Sequence, residues 1–221
     1  MNLTLFDLDH TLIPIDSDYS WGEFSLKIGW VDPVSFKQKN DQFFADYQAG
    51  ALDIHDYVKF ATEAVRLKGP VLAEKAHQQF MQEVIRPQIK PSALNLIQRH
   101  KDAGDHVMIV TATNEFVTRP IATELGIDDL IAVDLARDAN GWITGEILGT
   151  PSFKDGKVKR VAEWLSANHV AWQDVNITFY SDSFNDLSLL EKAQIPVATN
   201  PDTRLRQLAT DRGWRILELF S

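Results

Sequence analysis

An apolar run, Asn2-Leu-Thr-Leu-Phe6, ends directly in Asp7-Leu-Asp9-His-Thr11, and this junction limits what the chain can fold into more than any other stretch. Leu3, Leu5 and Phe6 read as a short buried strand of an α/β sheet, β-rich and too brief for a helix. Side chains at i and i+2 of a strand share a face, so Asp7 and Asp9 emerge together at its carboxyl end. Open α/β sheets place their ligand crevice at that end. Two carboxylates this close cannot both ionise cheaply: either a cation lies between them or one keeps its proton. A divalent metal with a protonated acid is what phosphoryl transfer through an aspartate needs. The alternative is an Asx turn or helix cap after a strand.

The rest of the chain decides between these two readings. Residues 18–84 carry a helical pattern, divided into roughly four helices by breaks at 29–33, at Gly50 and at Gly69-Pro70. Phe36, Phe43, Phe44 and Tyr47 form one apolar stripe, and Ile54, Tyr57, Val58, Ala61 and Val65 another. No strand pattern intervenes, so a small helical bundle is inserted between the first and second strands. From Pro91 an α/β rhythm begins: a helix over 93–103, a strand over 106–110 leading into Thr111-Ala-Thr-Asn114, and a helix stopped by Gly126. Residues 130–136 and 142–147 flank Asn140-Gly141 and predict a β-hairpin. A helix over 157–168, a strand over 176–180 ending in Ser181-Asp182-Ser-Phe-Asn185-Asp186, a last short strand over 195–198 and a last helix over 203–211 complete the pattern.

Three strands thus end in polar clusters: Asp7/Asp9/Thr11, Thr111/Thr113/Asn114 and Asp182/Asn185/Asp186. In a parallel sheet these carboxyl ends lie on one edge and converge. Lys157, just after Gly156 at a helix start, reaches the same place, with Lys154 and Lys159 as rivals. Thr113 and Asn114 read as caps of the following helix.

This set resembles the haloacid dehalogenase superfamily of phosphatases, whose motifs are Asp-x-Asp-x-Thr, a strand-terminal Ser or Thr, a lysine, and a Gly-Asp-x-x-x-Asp-like segment. It is most similar to the branch of phosphoserine phosphatases and their histidinol-phosphatase-like relatives, which insert a helical cap after the first motif. Ser181 and Ser183 stand where that family usually has glycine around Asp182. The resemblance implies an α/β fold: a Rossmann-like parallel-sheet core over 1–15 and 88–221, and a helical cap domain over 16–87. It implies Asp7 as nucleophile, Asp9 as general acid and base, and Lys157 as the neutralising cation. It gives Thr111, Asn185 and Lys157 as phosphate ligands, and Mg²⁺ held by Asp7, the Asp9 carbonyl and Asp182, with Asp186 mostly through water. Thr11 is expected to brace the loop. In phosphoserine phosphatases a carboxylate just after the first motif meets the substrate amine; Asp16 stands there, with Asp18 close behind, although either also suits a helix N-cap. The cap arginine that meets the substrate carboxylate has no clear counterpart: Ala61 falls near its place, with Lys59 and Arg66 as possible substitutes. Trp21 and Phe24 are read as cap core, with an aromatic wall for a cationic head as the alternative.

Composition narrows the function classes. The absence of cysteine excludes disulfides and thiolate chemistry. The net charge of -9 argues against a nucleic-acid footprint. No apolar run approaches a membrane span and no signal sequence is evident, so a cytoplasmic protein is expected. The six histidines lack paired ligand spacing; His55, His77, His100 and His169 read as structural surface positions. The expected activity is Mg²⁺-dependent hydrolysis of a small phosphomonoester, histidinol phosphate or phosphoserine among them, through an aspartyl-phosphate. Transfer to an alcohol acceptor shares the first half-reaction. A receiver-like phospho-Asp signalling module would be about half this length and would have no use for a cap.

Overall fold

The structure, a computed structural model, describes residues 1–220. Strand β1 (Asn2–Phe6) lies at the centre of a six-stranded parallel sheet. The other strands are β2 (His106–Asn114), β3 (Asp129–Val133), β6 (Asn176–Ser181), β7 (Ile195–Thr199) and β8 (Arg215–Leu217), in the order β3-β2-β1-β6-β7-β8. The order reverses at β1, so the crevice of this sheet opens at the carboxyl ends of β1, β2 and β6. Both faces of β1 are covered, as its unbroken apolar run requires. Leu3 and Leu5 pack with Met108, Val110, Ile177 and Phe179 on one face. Phe6 joins Ile109 and Tyr180 on the other, its ring stacked on Tyr180 at 4.8 Å.

Between β1 and β2 run the helices α1 (Ser17–Lys27), α2 (Pro33–Ala49), α3 (Ile54–Lys68) and α4 (Pro70–Phe80), the last continued by a π-helical turn, Met81–Ile85. Their limits follow local chemistry. Asp32 caps α2 by accepting from Ser35 N at 2.9 Å, Pro33 opens it, and Gly50 closes it in the left-handed conformation at φ 72°. Asp53 caps α3 through His55 N at 2.9 Å. Trp21 and Phe24 are buried in the apolar cluster that runs from these helices to the sheet; the Trp21 ring meets Phe80 at 5.1 Å and Phe116 at 5.4 Å. They are core. The remaining helices are α5 (Pro91–Asp102), α6 (Glu115–Glu124), α7 (Asp155–Ala167), the short α8 (Leu187–Leu190) and α9 (Thr203–Arg212). No helix among the described residues is long and apolar enough to cross a membrane.

Three sequence expectations are corrected. The hairpin around Asn140-Gly141 joins β4 (Leu135–Arg137) to β5 (Ile143–Ile147), whereas Asp129–Val133 is the edge strand of the main sheet. A run of apolar residues does not distinguish these two fates. The strand over 195–198 is not the last one, since β8 follows it. His77, only 6% exposed, donates to the Val117 carbonyl at 3.2 Å, and half-buried His100 bonds Asp105 at 2.7 Å and Tyr180 at 2.8 Å, so neither is a surface residue.

Candidate active site

Asp7 leaves β1 with its amide still bound to the Tyr180 carbonyl at 2.9 Å, so β6 holds it in register. Its Oδ1 accepts from Lys157 Nζ at 2.8 Å. The same ammonium donates to Asp186 Oδ2 at 2.7 Å, an oxygen that also accepts from Ser181 Oγ at 2.7 Å. Lys157 comes from the first turn of α7 and is 1% exposed. Burial alone would lower its pKa, but the carboxylates of Asp186 and Asp7 outweigh that and raise it, so it stays charged. Asp186, pushed by burial to about 6, is drawn back by the same lysine. The rival Lys154 lies against Gly50 instead.

Thr11 bridges the first and last clusters. Its hydroxyl accepts from Asp182 N at 3.1 Å and stands 3.4 Å from Asp7 Oδ2 and 3.3 Å from Asp182 Oδ1. Both carboxylates therefore converge on the Thr11 hydroxyl. Asp182 is pushed well above the usual carboxylate range by burial and by the charges of Asp7 and Asp186, which Lys157 only partly offsets. Surplus negative charge with two convergent carboxylates fits a small hard cation that keeps several waters. Among the described residues no three acidic or histidine side chains close into a full cage. The Asp9 and Asp186 carboxylates are engaged elsewhere, by Ser17 and Thr113 and by Lys157 and Ser181.

Asp9 is pinned between two elements. Its Oδ1 accepts from Ser17 N at the start of α1 at 2.8 Å, and its Oδ2 from Thr113 Oγ1 at 2.8 Å. Burial first, then the charge of Asp16, raises its carboxyl to about 6 despite these donors. Thr113 is the site residue that sequence reasoning set aside as a helix cap. The available signal was parity, since Thr111 and Thr113 are i and i+2 on β2, as Asp7 and Asp9 are after β1. Thr111 is buried, and its Oγ1 accepts from Thr113 N at 3.2 Å. Asn114 does cap α6, through Val117 N at 3.3 Å, and its amide also donates to Asp18 Oδ1 at 3.3 Å.

A cavity of about 320 Å³ spans from these strand ends to the inserted helices. Asp7, Asp9 and Asp182 line its floor, Asp16 and Asp18 one wall, and Phe43, Phe44, Tyr47 and Tyr57 its roof. Asp16 is the N-cap of α1, accepting from Tyr19 N at 2.8 Å, and it also lines the cavity. Asp18, 6% exposed, is raised by burial and by the neighbouring Asp16 to about 8. Asn185 lines the cavity, but its amide donates to the Tyr47 carbonyl at 2.9 Å rather than pointing free. Among the described residues the one arginine on the wall is exposed Arg204, over the Phe184 ring at 4.0 Å. Lys59 pairs with Glu146 at 3.3 Å and Arg66 sits against β5, both away from the cavity. Trp21 and Phe24 do not reach it.

With that geometry in place, the chain can be set against known proteins. A family model of haloacid dehalogenase-like hydrolases matches residues 4–191. The sequence is 42% identical over 218 residues to the histidinol-phosphatase of Neisseria meningitidis, covering 98% of each chain. A protein of unknown function from Bordetella pertussis Tohama I superposes with a TM-score of 0.93 at 43% identity, covering 99% of both. A substrate-bound phosphoserine phosphatase superposes at 0.67 with 18% identity, covering 98% of this chain and 92% of that one, a likeness of fold alone.

Proposed function

This chain belongs to the haloacid dehalogenase-like hydrolase family and is a phosphatase, and we propose that it hydrolyses a small phosphorylated amino alcohol, histidinol phosphate first among candidates, through a phosphorylated Asp7. The observation that carries this is the cavity that joins Asp7, itself paired with buried Lys157, to a wall of carboxylates and aromatic rings.

In this reading residues 1–15 and 88–221 are the catalytic core and 16–87 the cap. An Asp7 carboxylate oxygen attacks phosphorus in line, and the phosphorus–oxygen bond to the leaving group breaks. Asp9, raised by burial to about 6, keeps a proton into the weakly acidic range and gives that proton to the leaving alkoxide. The resulting Asp9 carboxylate then takes a proton from the water that attacks the phosphorus of the aspartyl-phosphate, which frees inorganic phosphate and restores Asp7. Thr111 and the ammonium of Lys157 hold the non-bridging oxygens, and Thr113 keeps Asp9 aimed. Asn185 joins them when its amide turns from Tyr47. Mg²⁺ fits the oxygen donors of Asp7, Asp182 and the Asp9 carbonyl, with Asp186 engaged through Lys157; bound there, it would neutralise charge on the phosphoryl group.

The head-group preference rests on electrostatics. Asp16 and Asp18 are raised by burial and by neighbouring carboxylates, and no basic side chain is among the groups that shift either. A buried carboxylate pair of this kind is relieved by a cation. An imidazole or ammonium group under the rings of Tyr57 and Phe43 supplies one. The carboxylate of phosphoserine would meet an acidic wall with only Arg204, at the mouth, among the described residues to offset it. The name of the Neisseria relative points the same way.

The test is phosphate release with Mg²⁺ across histidinol phosphate, phosphoserine, phosphoethanolamine, phosphocholine and sugar phosphates. One amine-bearing substrate should stand out at a kcat/KM of about 10⁴ M⁻¹s⁻¹ or more. A preference for neutral sugar phosphates would overturn the head-group assignment.

A further inference from the structure

Lys154 sits just ahead of α7, three residues before the buried Lys157, in a backbone conformation (φ 50°, ψ -125°) that side-chain-bearing residues rarely adopt. Such a conformation persists only where the surroundings enforce it, and glycine is the residue that would occupy it freely. Here a lysine occupies it. Its Nζ crosses to the inserted helices and donates to the carbonyl of Gly50, the residue that closes α2. From the other catalytic loop, Asn185 donates to the Tyr47 carbonyl on the same turn at 2.9 Å. The ring of Phe153, next to Lys154, lies 6.1 Å from the ring of Tyr47. A Cβ on Gly50 would fall 3.4 Å from Asn185 Oδ1 and 4.0 Å from Lys154 Nζ, so the turn is held closely by both.

We propose that Lys154 is a positioning residue: by gripping the α2–α3 turn it ties the seating of the inserted helices to the placement of Lys157. The link is short and stiff. The Lys154 carbonyl accepts from Lys157 N at 3.0 Å, so any relaxation of the Lys154 backbone turns the first residues of α7. The loop has no slack elsewhere, because a Cβ on Gly156 would lie 1.9 Å from the Pro151 carbonyl oxygen. When the turn lifts, Lys154 loses its acceptor, its strained backbone relaxes, and Lys157 shifts relative to Asp7 and Asp186. The cavity is then complete only while the turn is down. The catalytic consequence rests on the proposed role of Lys157; the grip itself does not.

Three variants separate the grip from ordinary structural support. Lys154→Gly removes both the ammonium and the backbone strain, Lys154→Ala removes the ammonium alone, and Lys154→Arg keeps a cationic donor. Hydrogen exchange of the 50–53 amides is read on the substrate-free protein, alongside Tm and kcat/KM on the best phosphomonoester and on p-nitrophenyl phosphate. Lys154→Gly should keep or raise Tm, yet speed exchange at the turn and lower kcat/KM about tenfold on both substrates. Lys154→Arg should restore protection and most of the turnover. The proposal is overturned if Lys154→Gly exchanges and turns over like the parent. It is equally overturned if Tm falls in step with turnover, because the lysine is then only a structural support. A parent protein that hydrolyses no phosphomonoester counts against the proposed reaction, whereas unchanged exchange counts against the grip.

Discussion

At the scale of single residues, the site is a set of carboxylates sorted by what stands beside them. Asp186 and Asp18 are both deeply buried, yet Asp186 is held to about 6 by Lys157 while Asp18, with no such cation acting on it, reaches about 8. A carboxyl whose folded pKa lies above its unfolded value binds a proton in the native state that the unfolded chain has already lost. Asp18 therefore destabilises the fold progressively as pH rises from its unfolded value near 3.8 through about 8, and least below that window. Tm should fall over this range, and Asp18→Asn should flatten the fall, by an amount on the order of 2–5 kcal/mol at the alkaline end. An unchanged slope in the variant would place the loss elsewhere. Part of this residue set was legible in the chain because strand parity brings Asp7 with Asp9 onto one face, whereas the same parity between Thr111 and Thr113 is masked by the capping preference of threonine. The bond from Thr113 to Asp9 and the turn of Asn185 toward Tyr47 were not, since both depend on how β2 and α2 approach in space.

At the scale of elements, legibility depended on local punctuation. The helices α2 and α3 were readable because Asp32, Pro33, Gly50 and Asp53 mark their ends in sequence. Strand β3 was confused with a hairpin arm because its pairing partner, β2, is remote and parallel, and nothing local announces that. The burial of His77 is likewise set by a neighbour, the Val117 carbonyl on α6. The element on which most depends is the loop before α7. Ser152 Oγ donates to the Thr111 carbonyl and so anchors this loop to β2, and Gly156 lets the backbone fold back on Pro151. Gly156→Ala would drive a methyl into that carbonyl oxygen, and because the obstacle is backbone the loop must open. The expected cost is at least the ~1–3 kcal/mol typical of overpacking, together with a loss of activity larger than the loss of stability, since Lys157 is the next residue. Thermal unfolding and turnover measured on the same variant check this. Parent-like turnover would mean that the first turn of α7 tolerates displacement.

At the scale of the whole molecule, the problem is how a chain of net charge -9 admits a phosphate dianion. The parallel sheet answers in part: by reversing at β1 it brings the ends of β1, β2 and β6 to one crevice, where the charge of Lys157 and of the proposed Mg²⁺ would be concentrated. Outside that crevice the field opposes the substrate, and the cavity wall adds Asp16 and Asp18. Substrates should therefore differ in their response to salt according to their own charge. A dianionic ester such as p-nitrophenyl phosphate is repelled on approach, so screening should raise its kcat/KM as salt rises from roughly 20 to 300 mM. A phosphorylated amino alcohol carries a compensating positive charge that the acidic wall attracts, so its kcat/KM should stay level or fall over the same range. Steady-state rates at constant Mg²⁺ measure the contrast directly. If both esters accelerate alike with salt, only the net charge of the molecule is felt and the acidic wall does not read the head group. If the amino alcohol ester alone slows, the wall attracts its cation during approach, before phosphoryl transfer begins.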